Sequence, residues 1–396
     1  MAITTTLAAC SQTVALNGPD GAVDAPSTLD DSIRYALSFI AQIRDTYALT
    51  STLHGKNIFT NSDVSVSQIN GSTLTTPVNG SWPVDMFYYG CSQASKLQAQ
   101  QAASSKLSSL GATNSITFST LSSFSPAAGD YFFSAIGVEG FDFARFEYGT
   151  ANAKAGSLQF KANASVSGTY SGALINAATN RSYPFSFALT ANTDTLVQVS
   201  NIPGDTTGTW LGATNAMAMQ LRFDLGSGTT YKGAANAWSA NNYVGATGAL
   251  GLASQVNGST LTISDIQFEL GATCTQYERR LYAETYLACQ RYLPYFEVAT
   301  YFPAAVTGAG AASVPIAFKV QTRVATTGAQ LGAAAAAYAL TDSTGANKFL
   351  TGLTWTSSSM SGGFLSATGA SGLTAGDAST LHGTSGGYIV FTGAQL

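Results

Sequence analysis

Few residues of this 396-residue chain have the type and spacing to do chemistry. Its two histidines, His54 and His382, stand at opposite ends, and a lone imidazole in a turn such as Leu381-His382-Gly383 is more often solvated than used as a base. Glu139, Asp142 and Glu147 are near enough in sequence to suggest the carboxylate pair of a glycoside hydrolase, one as acid and the other as base or nucleophile. Phe141, Phe143 and Phe146 interleave with them, which reads instead as a strand edge carrying Asp142 and Glu147 on its wet face. Cys10, Cys91, Cys274 and Cys289 are far apart and lack CxxC pairs or histidine partners. Free thiols in apolar surroundings are expected rather than a zinc site or a disulfide framework. With no P-loop and no HExxH, the residue types assign no catalytic group and no metal ligand, and the chain reads as a non-enzyme.

The elements that must position any binding residues read as mainly β. Met217, Met219, Leu221, Phe223 and Leu225 are apolar at every second position with Gln220, Arg222 and Asp224 between them, the pattern of a half-buried antiparallel strand. Phe185, Phe187 and Leu189 alternate likewise, as do Leu158, Phe160, Ala162, Ala164 and Val166, and turn signals such as Asn79-Gly80, Pro203-Gly204 and Asn257-Gly258 separate the runs. Leu261, Ile263, Ile266, Phe268 and Leu270 form a strand whose alternation slips at Ser264-Asp265, the mark of a β-bulge. Lys96 to Leu107, rich in Gln and Ala, reads as a helix within this region. The connection from Gly226 to Asn257 carries Tyr231, Trp238 and Tyr243; rings on such a loop either stack on sugars or, as Trp238 and Trp210 would, close one end of a sandwich.

Further along, Tyr282, Tyr286, Cys289 and Leu293 share one face of a short helix that Pro294 ends. After it Val314, Ile316, Phe318 and Val320 alternate, Leu350, Leu353 and Trp355 suggest another strand, Ala333 to Ala337 reads as a small-residue strand, and Tyr388 to Phe391 closes the chain. At the other end residues 1–25 are polar and read as extended, while Ile33, Ala36, Ile40, Ile43 and Tyr47 repeat at 3-4-3-4 spacing with Leu37 widening the stripe. That stripe fits an amphipathic helix on its own domain, a threefold bundle, or a plug in a socket. Leu7-Ala8-Ala9-Cys10 has the form of a lipoprotein cleavage box, but no Lys or Arg precedes Arg34, and the match is read as coincidence. No apolar stretch reaches the roughly 18 residues of a membrane span.

Charged residues make up 10% of the chain against roughly 25% in an ordinary domain. Its 17 Lys and Arg and net charge of −4 offer no basic stripe for nucleic acid. The charge that exists concentrates between Phe268 and Glu297, in Glu278, Arg279, Arg280, Glu284, Arg291 and Glu297. There Gln267, Glu269, Gly271, Tyr277, Glu278, Arg280, Tyr282, Glu284, Cys289, Gln290, Arg291 and Tyr292 form a pattern that resembles the joint of many bacteriophage tail-fibre and virion structural proteins. Val138 to Thr150, Asn180 to Phe187, Ile202 to Trp210 and Leu221 to Trp238 are similar to segments occurring in the same order in those proteins.

The resemblance implies an N-terminal virion-attachment segment with a short helix at 1–50, a carbohydrate-binding-like antiparallel jelly-roll sandwich at 51–275, a joint helix at 276–294, and a small C-terminal β tip domain at 295–396. It favours the bundle or plug reading of Ile33, Leu37, Ile40, Ile43 and Tyr47, with isoleucine core positions suiting a homotrimer. The function it implies is a bacteriophage tail fibre, assembled in the host cytoplasm, joined to other virion proteins by its N-terminus and touching host-surface glycan. The alternatives are a purely structural decoration or collar protein and a glycan-cleaving spike. Expected glycan contacts are Tyr295, Tyr301 and Phe302 near the entrance of the last domain, and Trp238. No cofactor is expected; jelly rolls of this type often hold a structural calcium ion, but no DxDxDG loop occurs.

Overall fold

The computed structural model describes Ala36 and residues 55–103, 106–297, 301–384 and 387–396. The expected attachment helix residues Ile33, Leu37, Ile40, Ile43 and Tyr47 lie outside the described residues. The chain divides into two units. In the first, Met1–Lys56 with Thr275–Glu278, the Gly55 N–H donates to Glu278 Oε1 and Lys56 Nζ donates to Thr275 Oγ1, both at 2.8 Å. The second, Asn57–Cys274 with Arg279–Leu396, is mainly β and holds two large hydrophobic cores.

The first core fills a jelly-roll sandwich. Its strands are β1 (Ser81–Val84), β2 (Phe87–Cys91), β3 (Leu97–Ala103), β4 (Asn114–Thr120), β5 (Phe132–Glu139), β6 (Gly156–Ala164), β7 (Gly168–Asn176), β8 (Ser182–Leu189), β9 (Thr195–Ile202), β10 (Met217–Asp224), the short β11 (Lys232–Gly233) and β12 (Gly245–Ala246), and β13 (Thr260–Leu270). One sheet runs β1-β2-β5-β10-β7-β8 and the other β3-β4-β13-β6-β9. Their alternation delivers Phe132, Ile136 and Val138 from β5 and Met219, Leu221 and Phe223 from β10 to the interior, where Phe160 meets Phe187 and Phe223 edge-on at 5.0 and 5.1 Å. The slip expected in β13 is present. Its register with β6 shifts between Ser264 and Gln267, Asp265 has φ +49°, and Lys161 Nζ meets Asp265 Oδ2 at 2.5 Å.

Two local expectations are overturned in this half. The Gln- and Ala-rich run is strand β3, because it pairs with β4 along its whole length and buries Leu97 and Ala99, so packing overrides helix propensity. The Phe141 to Phe146 stretch is no strand edge. It is a helical turn, α1 (Gly140–Phe143), followed by a tighter turn at Ala144–Phe146, and this curl buries Phe143 and Phe146 as a stacked pair at 5.1 Å.

The joint segment contains α2 (Tyr282–Gln290), which ends before Pro294. Of the expected face Cys289 and Leu293 are buried and Tyr286 packs against the core, but Tyr282 is 62% exposed, and Thr285 and Gln290 are buried as well. Gln290 is tolerated inside because both ends of its amide are used: Nε2 donates to Gln68 Oε1, and Oε1 accepts the Tyr295 N–H at 3.0 Å. Beyond it come β14 (Tyr295–Glu297), β15 (Phe302–Gly308), β16 (Ala311–Ala317), β17 (Gly328–Leu331), β18 (Tyr338–Thr341), β19 (Asn347–Phe349), β20 (Gly352–Ser359), β21 (Gly362–Thr368), β22 (Ala378–Gly383) and β23 (Tyr388–Thr392). They form a sheet β14-β23-β17 and a sheet β19-β18-β22-β15-β16-β21-β20 around the second core. Ala335–Ala337 is a 3-10 turn leading into β18 rather than a strand.

Candidate functional site

Two of the three carboxylates that suggested hydrolysis, Glu139 and Glu147, are held in ion pairs. Glu139, at the end of β5, is buried and gripped by Arg291, whose Nε and Nη2 reach its two oxygens at 2.7 and 2.8 Å. Arg291 Nη1 also donates to the Gln321 carbonyl at 3.2 Å, so this pair is a bracket between the sandwich and the later strands. Glu147 pairs with Lys154 at 2.5 Å. His382 is not a solvated turn residue: it is buried on β22 beneath the exposed Tyr301, ring centroids 4.8 Å apart, with Nδ1 3.3 Å from Thr341 Oγ1. Cys91, Cys274 and Cys289 are free, as expected, and burial pushes the Cys289 thiol well up. Among the described residues no group of three or more His, Cys, Asp or Glu could hold a metal ion, and no helix is long and apolar enough to cross a membrane.

The four expected glycan contacts do not converge. Phe302 is a core residue packed edge-on against Phe296 at 5.4 Å, so no ligand can stack on it. Tyr295 lies against Tyr388 at 5.4 Å, and Tyr301 stacks on His382 at 4.8 Å. Trp238 is a lid on the sandwich core: it stands edge-on to Trp210 at 5.5 Å and Tyr148 at 5.6 Å, and its indole N–H donates to the Pro203 carbonyl at 2.7 Å.

A convergence exists elsewhere, on the outer face of the six-stranded sheet. The alternation that sends Phe132 and Phe223 inward sends Phe133, Ala135, Gln220, Arg222 and Asp224 outward. Register then builds a row across four strands, Tyr88 opposite Ala135, Ala135 opposite Arg222, and Arg222 opposite Ala173. Between these two alanines the guanidinium carbon sits over the Phe133 ring, 4.4 Å from its centre. Phe133 can lie there because its neighbour is Gly90, where a Cβ would fall 2.4 Å from the ring. Around this floor stand half-buried rings: Tyr88 stacks with Phe133 at 6.0 Å, Trp82 is edge-on to Tyr88 at 5.4 Å, Tyr131 lies 5.9 Å from Phe133, and Tyr231 is edge-on to Tyr131 at 5.5 Å. Arg222 is fixed by neutral amides, Nε donating to Gln220 Oε1 and Nη1 to Asn242 Oδ1, each at 3.1 Å.

Of these residues only Tyr231 stands out in the sequence, on its long connection. Arg222 and Gln220 read there as the wet face of a strand, and nothing local links them to Trp82 or Tyr131. The roomier clefts have no ring in their described walls. One of about 540 Å³ is bounded by Lys106, Asn163 and Asp194, another of about 300 Å³ by Leu74, Gln100 and Thr117. The outer face, over a floor of buried Phe133, Ala135 and Val244, combines half-buried rings with fixed polar groups, the requirements for holding a sugar ring by its C–H face and its hydroxyls.

No protein-family model and no curated protein sequence matches the chain. Among solved structures it is similar to the enzymatically active domain of tailspike protein 4 of Bacteriophage CBA120, at 11% identity and TM-score 0.28, over 49% of this chain and 21% of that one. A putative sugar binding protein from Bacteroides thetaiotaomicron matches at 11% identity and TM-score 0.30, over 54% of this chain and 99% of that one. The family 11 carbohydrate-binding module from Clostridium thermocellum, in complex with a mixed-linked tetrasaccharide, matches at 8% identity and TM-score 0.24, over 50% and 96%. The chain thus spans about a fifth of the tailspike domain's length. At such scores none of these says what this chain does.

Proposed function

We propose that the chain is a non-enzymatic, glycan-binding virion protein, a bacteriophage tail fibre that acts as a homotrimer, joins other virion proteins through residues 1–50 and contacts host-surface glycan through the sandwich. The observation that carries the binding half is the outer-face platform of Trp82, Tyr88, Tyr131, Phe133 and Tyr231 around Arg222. The fibre half rests on the sequence resemblance at the joint and along the sandwich. A non-enzymatic role is supported by Glu139, whose bidentate pairing with Arg291 leaves it unfit as acid or nucleophile. This reading moves the contact surface from the expected Tyr295–Tyr301–Phe302 region to the sandwich, because Phe302 is internal and the other rings do not gather.

The test is binding of the purified full chain to host cells and to a glycan panel, repeated with Trp82→Ala, Tyr88→Ala and Tyr131→Ala. Each lost ring should weaken binding about tenfold, since one stacking contact is worth roughly 1–1.5 kcal/mol. Wild-type affinity in all three variants would exclude the face as the site. No binding to cells or glycans would favour a purely structural virion role, and release of reducing ends would identify a cleaving spike.

A further inference from the structure

Arg222 is a buried cation, 7% exposed, and no carboxylate among the described residues pairs with it. The acids nearest along the sheet are committed elsewhere. Asp224, two residues on, accepts the Gly226 and Ser227 N–H groups at 2.9 and 2.7 Å and lies 3.4 Å from Lys232 Nζ; Glu139 is held by Arg291. Arg222 instead has the Phe133 ring and two neutral amide oxygens, and its Nη2 donates to no described residue. Arg323 shows how the same fold saturates a guanidinium that has no carboxylate. Its Nε, Nη1 and Nη2 each donate to a backbone carbonyl, of Ala394, Asn215 and Gln395.

A desolvated charge held in position but left short of partners is costly, and the cost falls when an anion docks against it. Burial pushes the Arg222 guanidinium down to about 10, while the neighbouring Tyr88 and Tyr231 act in the opposite direction. The amides of Gln220 and Asn242 restrain the fork, and a planar fork suits a planar carboxylate.

We propose that the ligand of the outer face is an acidic saccharide, one sugar ring stacking on the half-buried aromatics while its carboxylate pairs with Arg222. This deepens, and rests on, the reading of the face as a glycan site. The selectivity is local, because a chain of net charge −4 has no general attraction for polyanions.

Binding of the wild-type full chain is measured by calorimetry to polygalacturonate, alginate, hyaluronan and polysialic acid, each beside its carboxyl-reduced counterpart, with galactan, cellohexaose and dextran sulfate as controls. At least one acidic polymer should bind and lose tenfold or more on carboxyl reduction, an arm that needs no variant. Arg222→Gln should cause a comparable loss while leaving the circular dichroism unchanged, and Arg222→Lys, which keeps charge without the fork, should fall between. Reduced polymers that bind as well as their parents, or neutral galactan or cellohexaose bound while no acidic polymer is, would overturn the inference and leave the glycan site standing. Equal binding of dextran sulfate would overturn it in favour of simple charge attraction. If nothing in the panel binds, both readings fall.

Discussion

Gly90 shows how narrow the tolerances of the outer face are at the scale of single residues. A methyl group there would lie 2.4 Å from the Phe133 ring, so Gly90→Ala must displace the surface on which Arg222 rests. The expected cost is about 1–3 kcal/mol in urea denaturation, with weaker ligand binding alongside; an unchanged midpoint would mean that Phe133 moves freely. Asp85 is a second sensitive position. It is buried, its oxygens accept the Gln68 N–H at 2.9 Å and the Gln68 side-chain amide at 2.5 Å, and burial pushes its carboxyl up to about 6. Since the folded value exceeds the unfolded one, stability present in acid is lost as pH rises from about 4 through about 6. Asp85→Asn should therefore flatten the pH profile, while its amide, facing the Gln68 donors, forfeits one of the two accepted hydrogen bonds; thermal melts across pH 4 to 8 would check the profile.

At the scale of elements, the joint helix and the bracket after it set how the later strands attach. Leu281 is the N-cap of helix α2 and has no side-chain oxygen to cap the first turn, while Glu284 already accepts the Leu281 N–H at 3.3 Å. Leu281→Asp would complete a capping box at a position that is 70% exposed, and should add about 1 kcal/mol, read as a higher melting temperature. The Arg291–Glu139 pair behaves oppositely. Arg291→Gln leaves a buried carboxylate unpaired and should cost about 3 kcal/mol, whereas adding Glu139→Gln to that variant should restore much of the loss. A double variant no more stable than the single one would show that the charge itself was not the burden.

For the whole molecule, among the described residues the sandwich core draws on those from Ile58 onward. Deleting residues 1–50 should leave its melting transition unchanged while abolishing the trimer that we attribute to the Ile33 to Tyr47 stripe. Light scattering on both chains decides this. A full-length monomer would remove the trimer, and a truncated trimer would place assembly in the β domains. Loss of particle incorporation on the same deletion is the matching test of attachment.

The sequence by itself determined what depends on local period. Alternation in Met217 to Leu225 and in Val314 to Ile316 gave β10 and β16, the broken alternation at Ser264-Asp265 gave the bulge, and the joint spacing gave a helix that ends before Pro294. It misjudged segments whose partners override propensity: β3 is held as a strand by β4, and α1 curls because Phe143 and Phe146 gain more by burial than a strand edge would allow. The site was almost illegible. Trp82, Tyr88, Phe133 and Arg222 become neighbours through the order of strands in one sheet, Tyr231 joins them from a turn after β10, and Glu139 meets Arg291 across 152 residues. A polar residue between two apolar ones looks the same in sequence whether its side chain meets open water or a ring of aromatics. Only the tertiary structure decided that Arg222 faces the aromatics, because burial and pairing are set by what the rest of the chain brings alongside.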